Sequence, residues 1–247
     1  MKAMVLAAGL GTRLRPLTDD RPKALVTVAG RTLLEITLAR LREFGVREVV
    51  VNAHHYAEMI VSYLAGHGNF GMRVEVSREE TLLDTGGGLK KAAAFFLEAG
   101  DEAFLVHNVD VISTIDLARM AEAHAASGAL VTLAVTTREA SRYLLFDEAG
   151  LLCGRRAKGD AEPEMRRPVE ATQALAFGGI HVVSPRIFGL MHEEGAFPIV
   201  DAYLRLAAEG ERIAAYRADG AYWRDVGRPE SLAAAERDIE RGMPAID

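Results

Sequence analysis

Leu6-Ala7-Ala8-Gly9-Leu10-Gly11-Thr12-Arg13-Leu14-Arg15-Pro16-Leu17-Thr18, with Pro22-Lys23 close behind, is the stretch whose reading decides the fold. Residues Lys2 to Ala8 form a short apolar run ending in small residues and then glycine, the pattern of a buried strand opening into a loop. Two glycines let backbone amides close on an anion, and Arg13 and Arg15 offer forked donors to phosphate oxygens. Lys23, stiffened by Pro22, adds a point charge that can fold back to the same phosphates. A lone Gly-x-Gly serves a plain turn as readily as an anion site. Two familiar motifs are excluded: the dinucleotide fingerprint needs glycine where Leu14 stands, and the P-loop needs a Gly-Lys-Ser/Thr that is absent.

Outward from this loop, strands and helices alternate. Leu33, Leu34, Leu38 and Leu41 recur at helical spacing over Thr32 to Phe44, with Gly45 placed for a left-handed C-terminal cap. The pattern then predicts a strand at Glu48 to Asn52, a helix at Tyr56 to Leu64, a strand at Met72 to Ser77, a helix at Leu89 to Leu97 and a strand at Ala103 to His107. Asp116 reads as the N-cap of a helix running to Ser127. Strands are expected at Leu130 to Val135 and Ala174 to Val183, separated by a polar insertion at about residues 154–169. A helix at Ile199 to Ala208, short strands at Ile213 to Tyr216 and Tyr222 to Val226, and a helix at Pro229 to Arg241 close the chain. The alternation implies an α/β fold, one layered domain over residues 1–247 with a mainly parallel sheet and helices on both faces. In such sheets ligands lie beyond the carboxyl ends of the strands, which directs attention to the segments after Ala8, Val51 and His107.

Bulk properties restrict partners and compartment. The chain has 247 residues, enough for a large core, and a formal net charge of -6, which gives no basic footprint for nucleic acid. Charged residues interrupt every candidate membrane span. Cys153 is the only cysteine, so no intrachain disulfide forms and a cytoplasmic location is expected.

The string from Leu6 to Lys23 resembles the signature of the sugar 1-phosphate nucleotidylyltransferase family, Leu-Ala-Ala-Gly-x-Gly-Thr-Arg-Leu-x-Pro-Leu-Thr followed by Pro-Lys. The resemblance implies a three-layer Rossmann-like nucleotide-diphospho-sugar transferase fold and a nucleotide site made by Ala7, Ala8, Gly9, Gly11, Thr12, Arg13 and Lys23. Arg13 would steady departing pyrophosphate and Lys23 would approach the reacting phosphates. Asp84-Thr85-Gly86-Gly87-Gly88 reads as a glycine-rich segment just before a helix, where bare backbone can approach a flat ring. By the resemblance, Thr85, Gly86 and Gly87 contact the base, in a version most like the enzymes that use N-acetylmuramate 1-phosphate or mannose 1-phosphate. A hinge is the plainer role for such a run.

Phe104-Leu105-Val106-His107 leads into Asn108-Val109-Asp110, which sets a carboxylate at the sheet edge; the resemblance implies that Asn108 faces the nucleotide. Trp223-Arg224-Asp225-Val226-Gly227-Arg228-Pro229 resembles the family's Trp-x-Asp-Val-Gly-Thr/Arg-Pro motif. The implied metal ligands are Asp110 and Asp225 around one Mg²⁺, since that ion is held by few carboxylates plus phosphates and waters. Taken singly, either aspartate fits an N-cap or turn role. Val109 replaces the glycine that relatives carry, a residue less free to bend. The Glu-Lys-Pro triplet of several relatives is absent, leaving Lys158, Arg166 and Arg167 as substitute cations for the sugar phosphate. Arg142, Tyr143 and the Phe177-Gly178-Gly179-Ile180 segment fall where relatives line the sugar pocket. His54 and His55 have no ligand-spaced partners and read as structural.

The expected reaction transfers a nucleoside monophosphate from a nucleoside triphosphate to a sugar 1-phosphate. Arg13, Lys23, Asp110 and Asp225 act by positioning and charge neutralisation. The pattern contains no left-handed β-helix repeat after the catalytic part. The competing readings are a non-catalytic nucleotide-sugar-binding regulatory subunit and, weakened by Leu14, a dinucleotide-dependent oxidoreductase.

Overall fold

The computed structural model describes residues 1–242; residues 243–247, the end of the span expected to form one domain, lie outside the described residues. In chain order it contains β1 (Lys2–Leu6), β2 (Thr27–Val28), β3 (Arg31–Thr32), α1 (Leu33–Glu43), β4 (Glu48–Ala53), α2 (Ala57–Gly66), β5 (Arg73–Arg78), α3 (Asp84–Lys91) and α4 (Ala93–Leu97). There follow β6 (Phe104–Asn108), β7 (Val111–Ser113), α5 (Leu117–Ser127), β8 (Val131–Thr136), β9 (Arg142–Phe146), β10 (Leu152–Ala157), β11 (Glu164–Met165) and β12 (Gln173–Val183). The chain ends with α6 (Ile199–Ala208), β13 (Ile213–Arg217), β14 (Trp223–Asp225) and α7 (Pro229–Glu240).

One sheet runs β11-β10-β9-β12-β6-β1-β4-β5, with β8 also paired to β12 and β13 to β8. Strands β1, β4, β5 and β6 are mutually parallel, as the alternating pattern requires, and β13 is parallel to β8. Strand β12 runs antiparallel to β6, β8 and β9. A separate two-stranded ribbon pairs Trp223 with Ser113 and Asp225 with Val111.

Both faces of the central strands are apolar because both are covered. Ala3 and Val5 pack with Leu33, Leu38, Ile60, Met120 and Leu232 on one side, whereas Met4 joins Phe96, Phe104 and Tyr203 on the other. The local signals for α1 hold: the Thr32 side chain accepts from the Glu35 amide, and Gly45 adopts φ +79°. Asp116 caps α5 by accepting from the Arg119 amide at 3.0 Å.

Two expectations need correction. The polar insertion at 154–169 contains strand: β10 pairs with β9, itself unforeseen, and β11 pairs with β10. Arg155 finds ion partners at the sheet edge, where it meets Glu164 and Asp201. The helix expected from Leu89 begins at Asp84 and breaks at Ala92, so Gly86, Gly87 and Gly88 lie within α3. Glycine is a poor helix former; packing overrides that preference here, as shown below.

His107 and His181 are buried on neighbouring strands, and neither Nε2 atom has a hydrogen-bond partner among the described residues. Burial pulls their pKa values from 6.5 down to about 4 and about 3 respectively. The unfolded chain therefore binds protons below pH 6.5 that the folded chain refuses. This contribution to stability is complete above that pH and is lost as pH falls. We predict that urea midpoints drop between pH 7 and pH 5, reporting a loss of unfolding free energy of up to about 2 kcal/mol per histidine. Midpoints that hold steady over that range contradict burial of the pair in neutral form.

Candidate active site

Parallel β1, β4 and β6 end on the same edge of the sheet, and a cleft of about 290 Å³ opens there. Its floor is Ala7, Ala8 and Gly9 after β1, Asn52 at the end of β4, and Asn108 to Asp110 after β6. These are the three loci that the strand-end rule selects. Lys23 closes one side, and Leu82, Asp84 and Thr85 close the other.

The loop after β1 is shaped by Gly11. Its φ is +65°, and a Cβ there would sit 2.9 Å from Thr18 Cγ2 and 3.1 Å from Lys23 Cβ. The missing side chain lets Thr18 donate to the Gly11 carbonyl at 2.9 Å and brings Lys23 against the loop. The Lys23 ammonium then forms an ion pair with Asp110 Oδ2. Gly9 is different: a Cβ on it would meet nothing within 4 Å, so packing does not require glycine there. Arg15 is engaged with Asp19 at the surface rather than with the cleft residues.

Asp110 and Asp225 converge. A Cβ on Gly227 would lie 2.8 Å from Asp225 Oδ1, 3.1 Å from Asp110 Oδ2 and 2.8 Å from an Arg13 guanidinium nitrogen. The two carboxylate oxygens are thus no further apart than the sum of the first two distances. The approach is fixed by backbone: the Val226 amide donates to the Asp110 carbonyl at 2.8 Å, and the Gly227 amide donates to Asp225 Oδ1 at 2.7 Å. No cluster of three or more His, Cys, Asp or Glu residues gathers among the described residues. Two carboxylates with room for phosphate and water oxygens fit Mg²⁺, and do not fit a structural zinc site.

Val109 occupies its position without strain. Its side chain is buried in the core, it is absent from the residues at positive φ, and its amide donates to the Leu6 carbonyl at 3.1 Å. The glycine of relatives is not needed for this turn.

Asn52 and Glu79 were not foreseen. Asn52 Oδ1 accepts from the Ala7 amide at 2.6 Å and the Ala8 amide at 3.3 Å, while its Nδ2 donates to Glu79 Oε1 at 2.7 Å. Glu79 Oε2 accepts from the Leu83 amide at 3.0 Å. This buried network ties the β1 loop to the segment that enters α3. It also commits the Ala7 and Ala8 amides, so any anion contact from the loop falls to amides further along; those of Gly9, Leu10 and Gly11 have no acceptor among the described residues. A polar residue closing the Val49-Val50-Val51 run was the available signal for Asn52. Glu79 carried none.

The α3 glycines answer to packing. A Cβ on Gly86 would fall 2.2 Å from the Phe197 ring, one on Gly87 2.3 Å from the Gly195 carbonyl, and one on Gly88 2.7 Å from Asn52 Nδ2. Thr85 lines the cleft, but Gly86 and Gly87, expected beside the base, do not. They allow α3 to lie on the segment before α6, where the Gly86 amide donates to Phe197 O at 2.9 Å and the Ile199 amide donates to Thr85 Oγ1 at 2.9 Å.

A second cleft of about 670 Å³ lies against that junction, lined by Arg142, Tyr143 and Arg156 from β9 and β10, Phe177 from β12, and Pro198 and Val200 at α6. Arg142 and Tyr143, the residues the sequence reading assigned to a sugar pocket, both line this cleft. Gly178 is not in this wall; a Cβ there would meet Ala134 O at 3.1 Å and Trp223 Nε1 at 3.2 Å. Gly178 and Gly179 form the register break of β12, with Gly179 at φ +73° against Asn108 Nδ2. Of the proposed substitute cations, Arg166 pairs with Glu164 and Arg167 with Asp147, while Lys158 lies outside both clefts.

A parallel sheet that gathers a cationic loop and a carboxylate pair at its strand ends has the architecture of an enzyme handling nucleoside phosphates. The chain belongs to the nucleotidyl transferase family, whose model matches residues 2–242. Over 246 residues it is 35% identical to the N-acetylmuramate alpha-1-phosphate uridylyltransferase of Caulobacter vibrioides, covering 95% of each chain. It is 30% identical over 240 residues to the mannose-1-phosphate guanyltransferase of Candida albicans, spanning 94% of this chain and 62% of that protein. A solved UDP-glucose pyrophosphorylase complexed with UDP-glucose superposes with a TM-score of 0.78 at 20% identity, over 97% of this chain and 98% of that one, and shares the fold. Family and enzyme class thus agree with the sequence reading.

The two kinds of glycine separate in a stability measurement. Gly86→Ala should destabilise by about 1–3 kcal/mol through overpacking against Phe197. Gly9→Ala should leave the unfolding free energy unchanged or raise it by about 0.4–1 kcal/mol. Equal effects would refute the assignment of Gly86 to packing.

Proposed function

We propose that this chain transfers uridylyl from UTP to N-acetylmuramate 1-phosphate, releasing pyrophosphate, with Mg²⁺ as cofactor and in the cytoplasm. The convergence of Asp110, Asp225 and Arg13 on Gly227 carries the nucleotidylyl-transfer reading. An oxygen of the sugar phosphate attacks the α-phosphorus, the bond from that phosphorus to the bridging oxygen breaks, and pyrophosphate leaves. The attacking oxygen is already anionic, so no general base is needed. Arg13 and Lys23 hold fixed positive charge beside the leaving phosphates, and the Gly9 to Gly11 amides face them as donors. Asn108 and Thr85 position the nucleoside across the cleft. Mg²⁺, held by Asp110 and Asp225, would orient the phosphates and neutralise developing charge.

Two observations favour an acidic sugar. The relative from Caulobacter vibrioides is 35% identical over 95% of each chain, against 30% for the mannose enzyme from Candida albicans. In the second cleft Arg155 is neutralised by Glu164 and Asp201, while Arg142 and Arg156 have no ion partner among the described residues. The lactyl carboxylate of N-acetylmuramate supplies a counter-charge that mannose lacks. Guanylyl transfer to mannose 1-phosphate is the second reading.

A matrix of nucleoside triphosphates against sugar 1-phosphates, read by pyrophosphate release with Mg²⁺, tests this. UTP with N-acetylmuramate 1-phosphate should give the highest kcat/KM. A maximum for GTP with mannose 1-phosphate moves the assignment to the second reading. Nucleotide binding without pyrophosphate from any pair indicates the non-catalytic subunit. Asp110→Asn and Asp225→Asn should each lower kcat at least about 100-fold.

A further inference from the structure

Arg138, just beyond β8, stands at the boundary between the carboxylate pair and the second cleft, and nothing in the sequence marks it. Its guanidinium carbon lies 3.7 Å from the Trp223 ring centroid, and one terminal nitrogen donates to Phe177 O at 2.6 Å. The carbonyl of the next residue, Gly178, accepts from the Trp223 indole at 2.7 Å. Consecutive carbonyls at the β12 register break thus hold the arginine and the ring it stacks on. Phe177 and Tyr143 line the second cleft, and Trp223 stands two residues before Asp225 on β14, on the same face of the strand.

The cation is under-used. Arginine has five N–H donors. The buried Nε of Arg138 has no partner among the described residues, and the side chain forms no ion pair there. Burial lowers its pKa, countered by the charge of Asp225 and by Tyr143. An arginine remains protonated under such conditions. A desolvated guanidinium with spare donors is costly unless an anion completes it.

We propose that Arg138 is the residue that binds the phosphate of the sugar 1-phosphate, orienting it for attack from the sugar side while Arg13 serves the leaving pyrophosphate. This rests on the nucleotidylyl-transfer reading, and it is independent of which base and sugar are used. Stacking on Trp223 fixes the plane of the guanidinium, so its fork faces one direction, and Gly178 leaves the space that the indole fills.

The test uses the intact chain with Arg138→Gln, Arg138→Lys and, as a control, Arg142→Ala. Steady-state kinetics use the best pair from the activity matrix. Arg138→Gln should raise KM for the sugar 1-phosphate about 10- to 100-fold, with KM for the triphosphate within about twofold. Arg138→Lys should recover part of the loss. Calorimetry with a non-hydrolysable UTP analogue present compares N-acetylmuramate 1-phosphate with N-acetylmuramic acid. Arg138→Gln should abolish the preference for the phosphorylated sugar, whereas Arg142→Ala should retain it. An unchanged preference in Arg138→Gln, or an equal rise in both KM values, overturns the proposal. Should Arg138→Gln unfold, the lysine variant decides by the same preference, expected between parent and zero; a full parental value overturns it. If the parent turns over no pair, the transfer reading fails and the calorimetric preference still judges Arg138.

Discussion

Two carboxylates held close together repel, and the site exists because the chain fixes them there against that repulsion. The pairing of β14 with β7 sets Asp225 beside Val111, and the Val226 amide donates to the Asp110 carbonyl, so backbone does the positioning. Arg13 and Lys23 supply the compensating charge, each from the loop after β1. Gly227 leaves the space in which Arg13, Asp110 and Asp225 meet, and any side chain there would fill it. Three segments far apart in sequence are thus made dependent on one volume the size of a methyl group.

Around this centre, rigidity is unevenly distributed. On one side, Asn52 and Glu79 are buried and hydrogen-bonded to the amides of Ala7, Ala8 and Leu83, which locks the floor of the cleft to the entrance of α3. On the other, Gly9 and Leu10 are exposed, with amides that have no acceptor among the described residues. On the proposed function, the fixed wall would serve the flat base and the unpaired donors the charged, flexible triphosphate.

Much of the fold was legible because local signals and tertiary packing agree. The leucines of α1, the Asp116 cap and Gly45 each act within a few residues, and the structure uses them as read. The carboxylate pair was legible only through two motifs, since neither Asp110 nor Asp225 is distinctive alone. What was not legible depends on neighbours distant in sequence. Gly86, Gly87 and Gly88 look the same in sequence whether glycine frees a loop or admits a close contact; Phe197, Gly195 and Asn52 decide for contact. Strands β9 and β10 escaped notice because Arg155 and Arg156 fall in the stretch read as a polar insertion, although the pairing Tyr143 to Arg156 makes them strand. Glu79 and Arg138 acquire meaning only from the residues they touch.

The spacing of Trp223 and Asp225 explains how one short strand reaches both the carboxylate pair and Arg138. Alternate residues of a strand share a face, so the acid that faces Asp110 and the indole that carries Arg138 are presented together. The ribbon partner, β7, follows directly from the Asp110 turn, which makes the register of this two-stranded piece the common determinant of the carboxylate pair and of the ring on which Arg138 stacks. A shift of one residue would turn Trp223 and Asp225 to the opposite face and separate the carboxylates at the same time. The register is held from outside the ribbon as well: the Thr114 amide donates to the Tyr222 carbonyl, and the Tyr222 amide donates to the Thr114 hydroxyl. Arg224, which points from the other face, is anchored to Asp238 of α7. The last helix therefore braces the strand that carries Asp225, although none of its residues lines either cleft.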